Sequence, residues 1–211
     1  MNEFPSIEAL ALALGLGAIA LMFAFTLIAG APPVPTLAVV RRAMLRLLPR
    51  RLPAPAEGRA AVIYDLGSGW GGLAAALALA YPDHQVIGIE RSPLPWAFSR
   101  LRLALRPRAN LTFRRGDFMT DPLADAGLVV CYLAGGLMPP LARKLAAELA
   151  PGALVLSQTF AMPDWRAADT VHADDFDKTP VYLYEIGDVA AASQALSSFE
   201  SRDESVADTR A

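Results

Sequence analysis

Three acids stand at regular intervals in this chain, each closing a short apolar run: Asp65 in Ala61-Val-Ile-Tyr-Asp65, Glu90 in Gln85-Val-Ile-Gly-Ile-Glu90, and Asp117 in Asn110-Leu-Thr-Phe-Arg-Arg-Gly-Asp117. The first is followed at once by Leu-Gly-Ser-Gly-Trp-Gly-Gly72. Glycines between an apolar strand and a helix let the backbone turn tightly and come close to a ligand, while the helix start offers unpaired N–H groups. Gly67, Gly69 and Gly72 fit the G-x-G-x-x-G spacing of dinucleotide sites, so the glycines alone do not choose the ligand. Asp65 does. A carboxylate at the strand end repels a pyrophosphate and attracts an ammonium or a sulfonium. S-adenosyl-L-methionine carries both cations and is the expected cofactor. Glu90, ending the second strand, is the expected partner of its ribose hydroxyls, and Asp117, ending the third, of its adenine amino group. Each acid also has a plainer reading, as a helix cap or a solvated strand end.

The elements that must position these residues alternate in type. Residues 71–81 and 95–105 read as helices rich in Ala and Leu, the second bearing Arg100, Arg102 and Arg106. Residues 127–133 read as a buried fourth strand, 139–149 as a helix, 153–159 as a fifth strand after Pro151-Gly152, and 181–186 as a last, edge strand. A βαβ series of this kind predicts an α/β doubly wound, Rossmann-like sheet whose carboxyl edge binds the ligand.

Composition points to something more than this domain. The chain has 211 residues, 54% of them hydrophobic, and a mean hydropathy of +0.35. The excess lies at the front, where residues 9–29 run without a charge. That length crosses a hydrocarbon core of about 30 Å as one transmembrane helix. A signal peptide and a buried core helix are the alternatives, but the leader holds Glu3 and Glu8 rather than a basic stretch. Arg41, Arg42, Arg46, Arg50 and Arg51 follow the run, which places the remaining chain on the cytoplasmic side of a membrane, a bacterial inner membrane by this reading. Residues 41–48 suit an amphipathic basic helix, lying either on headgroups or against the sheet. The expected organisation is an anchor over 1–30, a proline-containing and basic connection over 31–58, a catalytic domain over 59–187, and a disordered polar tail over 188–211.

Other function classes find little support. A net charge of −2 argues against a nucleic-acid partner. Cys131 has no second cysteine to pair with, and His84 and His172 are isolated, so neither a disulfide nor a metal site is expected.

Several segments together carry a resemblance. Ala31-Pro-Pro-Val-Pro-Thr36, Met44-Leu45, Asp65-Leu-Gly-Ser-Gly69, residues 132–149 and Phe160-Ala-Met-Pro-Asp-Trp165 resemble the membrane-anchored lysine methyltransferases. The likeness runs from the anchor to Ile186 and implies a seven-stranded class I methyltransferase core. It further implies that Pro35 and Thr36 help to close the cofactor site, beside Asp65, Gly67, Gly69, Glu90 and Asp117 as cofactor contacts. The acceptor implied is a lysine of a protein, an integral membrane protein among the possibilities. Where that family carries Asp-Leu-Trp-Lys after the third strand, this chain has Asp117-Phe-Met-Thr120. Phe160 and Trp165 are candidates for the acceptor wall, and Tyr132, ending the fourth strand, for a hydrogen bond to the amine. A methyltransferase for a lipid, quinone or other small acceptor, and a scaffold that uses Gly15 and Gly17 for helix assembly, are the competing expectations.

Overall fold

A computed structural model of the protein describes residues 6–17, 36–52 and 61–187. Two units are distinguished, residues 1–34 and 35–211. In the first, residues 7–17 form helix α1. Among the described residues no helix is long and apolar enough to cross a membrane, and the rest of the expected span, residues 18–29, lies outside them. The polar tail over 188–211 and Pro35 lie outside them too.

The second unit is built on a seven-stranded sheet. Strands β1 (Val62–Leu66), β2 (Val86–Glu90), β3 (Leu111–Arg115), β4 (Ala126–Cys131), β5 (Leu154–Gln158), β6 (Asp169–His172) and β7 (Pro180–Glu185) lie in the order β3-β2-β1-β4-β5-β7-β6. The first five are mutually parallel; β7 runs antiparallel to β5 and to β6. The order reverses at β1, so the crevice above the ends of β1 and β4 is the topological switch point where open α/β sheets take ligands.

Burial explains the layers. The central strands β4 and β5 are buried along their whole length, as strands covered on both faces must be. One face packs α2 (Ala38–Leu47), α3 (Gly72–Ala80) and α4 (Pro93–Leu105) over Ile63, Val86, Leu128 and Leu156. The other carries α5 (Met138–Glu148), whose Leu141 and Leu145 meet Tyr64, Val129 and Val155. The connections after β3 and β5 contain no α-helix.

Two sequence expectations change here. Helix α2, for which headgroups and sheet are both open from sequence, packs its apolar side inward, with Val40 and Met44 1% and 0% exposed beside α3, β6 and β7. Its arginines therefore line the outer surface of the domain. Strand β6 was not foreseen.

Candidate functional site

Strand alternation decides which acids can act together. Asp65, Glu90 and Gln158 follow Ile63, Val86 and Leu156 at even intervals, so they point to the face covered by α2, α3 and α4. Parallel register sets the strand ends level. Leu66 pairs with Ile89 and with Cys131, and Cys131 with Ser157, so Glu90, Gly67, Tyr132 and Gln158 follow side by side at the carboxyl edge.

The glycine turn sits in the middle of that edge. Gly67, Gly69 and Gly71 have φ of 70°, 52° and 73°, values that side-chain-bearing residues adopt only at a cost. At Gly67 a Cβ would also meet the tip of a side chain, Leu133 Cδ2, at 2.7 Å. Leu133 thus folds the chain after β4 over the turn.

Glu90 is fixed by this turn. Gly69 N–H donates to its Oε2 at 2.8 Å and Ser92 N–H to its Oε1 at 2.7 Å. Each oxygen keeps lone pairs for further donors, the arrangement a vicinal diol requires. Asp117 is held likewise: Met119 N–H donates to its Oδ1 at 2.9 Å, and Arg91 stands 3.9 Å from Oδ2. Thr120 N–H and Oγ1 bond back to the Asp117 carbonyl, so Asp117-Phe-Met-Thr120 is a closed turn.

Asp65 is 3% exposed. Burial pushes its carboxyl up to about 7, the Ala74 N–H at the start of α3 opposes that rise, and the Glu90 charge adds to it. Its Oδ2 is buried without a partner, as are Ser68 Oγ and Gln158 Oε1. Buried polar atoms are ordinarily paired, so three orphans at one sheet edge mark a place where a polar ligand completes the structure. Ser68 and Gln158 escaped the sequence reading. Gln158 carried a usable signal, since it is the polar residue closing an apolar strand, as Asp65 and Glu90 are.

The remaining candidates lie around this edge. Thr36 accepts a hydrogen bond from Arg41 Nη1 at 3.3 Å, and the same nitrogen lies 3.0 Å from where a Cβ on Gly72 would be, so Thr36 stands close to the glycine turn. Phe160 is 40% exposed, and its ring lies 3.2 Å from a Cβ built on Gly135. It faces the segment after β4 that begins at Tyr132. Trp165, half-buried, packs its ring edge-on against Tyr184 at 5.6 Å, while Tyr184 Oη accepts from Met162 N–H at 2.9 Å. That holds the loop after β5 to the sheet. Thr159 opens this loop with φ 69°, a left-handed conformation that turns the chain sharply off the strand.

An acidic, glycine-lined switch point with unpaired buried acceptors fits a cationic nucleoside cofactor, and relatives agree. A Salinibacter ruber RNA methyltransferase, solved with S-adenosyl-L-homocysteine, superposes with a TM-score of 0.60 at 30% identity, over 72% of this chain and 94% of its own. The chain belongs to the class I S-adenosyl-L-methionine-dependent methyltransferases, and S-adenosyl-L-methionine is its cofactor.

Within that class, residues 65–169 match the ANTKMT methyltransferase domain. A protein-lysine N-methyltransferase of Saccharolobus islandicus (strain REY15A) is 28% identical over 134 residues, 60% of this chain and 80% of its own. The adenine nucleotide translocase lysine N-methyltransferase of Mus musculus is 33% identical over 117 residues, which are 54% of this chain. The match spans 50% of the mouse protein.

Proposed function

We propose that this chain methylates a lysine side chain of a protein, with an integral membrane protein as the acceptor class. The observation that carries the reading is that two relatives named as lysine methyltransferases align with this chain, whose residues 65–169 match the ANTKMT methyltransferase domain and include most of the acidic edge. In this reading Glu90 accepts from the ribose hydroxyls, Asp117 from the adenine amino group, and Asp65 faces the cofactor's cationic end. Gly67 and Gly69 let the backbone approach, and Pro35 with Thr36 closes over it.

Bound S-adenosyl-L-methionine would supply an electrophilic methyl group on a sulfonium. The chain's own task is then alignment and desolvation. An amine must stand about 3 to 3.5 Å from the methyl carbon, in line, and must arrive without its proton. An ordinary lysine titrates near 10.4, and an apolar surround lowers that value by disfavouring the charged form. Phe160, beside Gly135, and Leu133, over Gly67, are the apolar side chains assigned to that surround, and Tyr132, which follows β4, is the hydroxyl assigned to orient the amine.

Membrane attachment belongs to the same proposal. Its support is the uncharged run over 9–29 and the five arginines that follow it, which set the catalytic unit on the cytoplasmic side. The test is to incubate the purified full chain and tritiated S-adenosyl-L-methionine with membranes from a strain lacking it. Label should survive organic extraction and nuclease and appear as methyllysine after acid hydrolysis. Label found only in the organic phase would assign a lipid or quinone acceptor. Nuclease-sensitive label would assign RNA, the acceptor class named for the Salinibacter relative. Either result ends the lysine reading.

A further inference from the structure

Helix α4 turns an apolar face to solvent. Leu94, Phe98, Leu101 and Leu105 are 43%, 47%, 58% and 74% exposed. At about 100° per residue they form one stripe roughly 60° wide. The packed side of the helix, with Pro95 and Ser99 buried and Trp96 and Leu103 half-buried, lies opposite. A surface helix ordinarily gives that outer face to polar residues, so four apolar side chains in line ask for a partner.

Charge identifies the partner. Helices α2, α3 and α4 contain no Asp or Glu, while α2 holds Arg41, Arg42 and Arg46 and α4 holds Arg100 and Arg102. Arg106 and Arg108 follow directly. This concentration occurs in a chain of net charge −2. Among the described residues the ion pairs engage Arg91, Arg114, Lys144 and Lys178, and none of these seven arginines. Two of them converge: Arg41 Nη1 and Arg102 Nη1 lie 3.0 and 3.8 Å from where a Cβ on Gly72 would be. Guanidinium groups held side by side repel each other unless an anion comes between them.

We propose that the α2–α3–α4 face docks on an anionic lipid bilayer, with the α4 stripe in the interfacial region and the arginines at the lipid phosphates. A nucleic acid would satisfy the arginines and leave the stripe in water. A second copy using the same face would set arginine against arginine. Phe98 meets the ring of Trp70, in the glycine turn, edge-on at 5.2 Å, so the docked face reaches the cofactor turn and the sheet's carboxyl edge opens along the membrane surface. This concerns where the domain lies and holds whatever the acceptor.

Leu101→Cys, labelled with an environment-sensitive NBD fluorophore in the full chain, tests it; Cys131 is buried, with its thiol pushed up to about 12, and does not compete for label. The control is Arg143→Cys on the exposed side of α5. With vesicles of phosphatidylcholine and phosphatidylglycerol, the probe at 101 should shift to the blue and be quenched by doxyl lipid but not by iodide. The probe at 143 should behave in the opposite way. Vesicles of phosphatidylcholine alone, or the added changes Arg100→Glu and Arg106→Glu, should return the probe at 101 toward water. Equal iodide quenching at both sites overturns the proposal, as does a chain that stays in the supernatant. So does a probe that answers to an RNA oligonucleotide, or to protein concentration, and not to vesicles. None of these outcomes depends on methyl transfer, so they are separable from the acceptor assignment.

Discussion

Burial lifts the Asp65 carboxyl from 3.8 to about 7, and two consequences follow at the residue scale. Between about pH 4 and 7 the folded, cofactor-free chain keeps a proton that the unfolded chain has released, so stability falls as pH rises through that window. The slope is at most about 1.4 kcal/mol per pH unit. Asp65→Asn should remove it, so the mutant's Tm advantage over wild type should grow between pH 5 and pH 8; an advantage that shrinks would contradict a buried, protonated acid. Cation binding favours the ionised form, so cofactor affinity should rise with pH up to about 7 and level off. Calorimetry of Asp65→Asn should show weaker binding without that rise. Tyr132→Phe probes the acceptor side instead: kcat should fall about tenfold or more while cofactor affinity stays level, consistent with loss of one orienting hydrogen bond. A mutant with unchanged kcat would leave Tyr132 a packing residue.

At the scale of elements, side chains outside the site hold the strand ends in register. The two N–H groups of Asn110 Nδ2 are shared among the carbonyls of Ala78, Tyr81 and His84 at 3.0, 3.1 and 3.1 Å, fastening the end of α3 to the start of β3. Asn110→Ala leaves those carbonyls short of a donor and should cost about 1 to 3 kcal/mol in denaturant unfolding. Because the junction is at the opposite end of the sheet from Glu90, cofactor affinity should change little. Glu148 ties α5 to the turn before β4, accepting from Leu123 N–H at 3.0 Å and from Lys144 at 2.6 Å. Desolvation pushes its carboxyl up, but those donors and the Lys144 charge outweigh that and leave it lowered. Its contribution is present above the ordinary glutamate range and lost as pH falls through the lowered value. Glu148→Gln should therefore narrow its gap to wild type under acid unfolding. The alternating elements were legible in the sequence because apolar runs and Gly or Pro breaks are local. Strand β6 was not, since its four residues are exposed or half-exposed and carry no apolar alternation.

For the molecule as a whole, a cofactor that binds only the folded state must stabilise it. S-adenosyl-L-methionine at a hundred times its Kd should add about 2.7 kcal/mol, visible as a raised Tm of the full chain. NADH at the same concentration should leave Tm unchanged, because Asp65 and Glu90 repel its phosphates. A shift with NADH alone would reverse the cofactor assignment. The cofactor chemistry is legible in the residues alone, since an acid before a glycine turn and an acid ending the next strand are short-range patterns that need no knowledge of the fold. The strand series likewise determined the Rossmann-like sheet. The tertiary fold, by contrast, turns α2 inward, leaves Asp65 with an unpartnered oxygen, and brings Ser68 and Gln158 to the same edge. It alone aligned the arginines of α2 and α4 beside an exposed apolar stripe. These depend on contacts between segments far apart in the chain, and an amphipathic pattern states that a face is buried without stating against what.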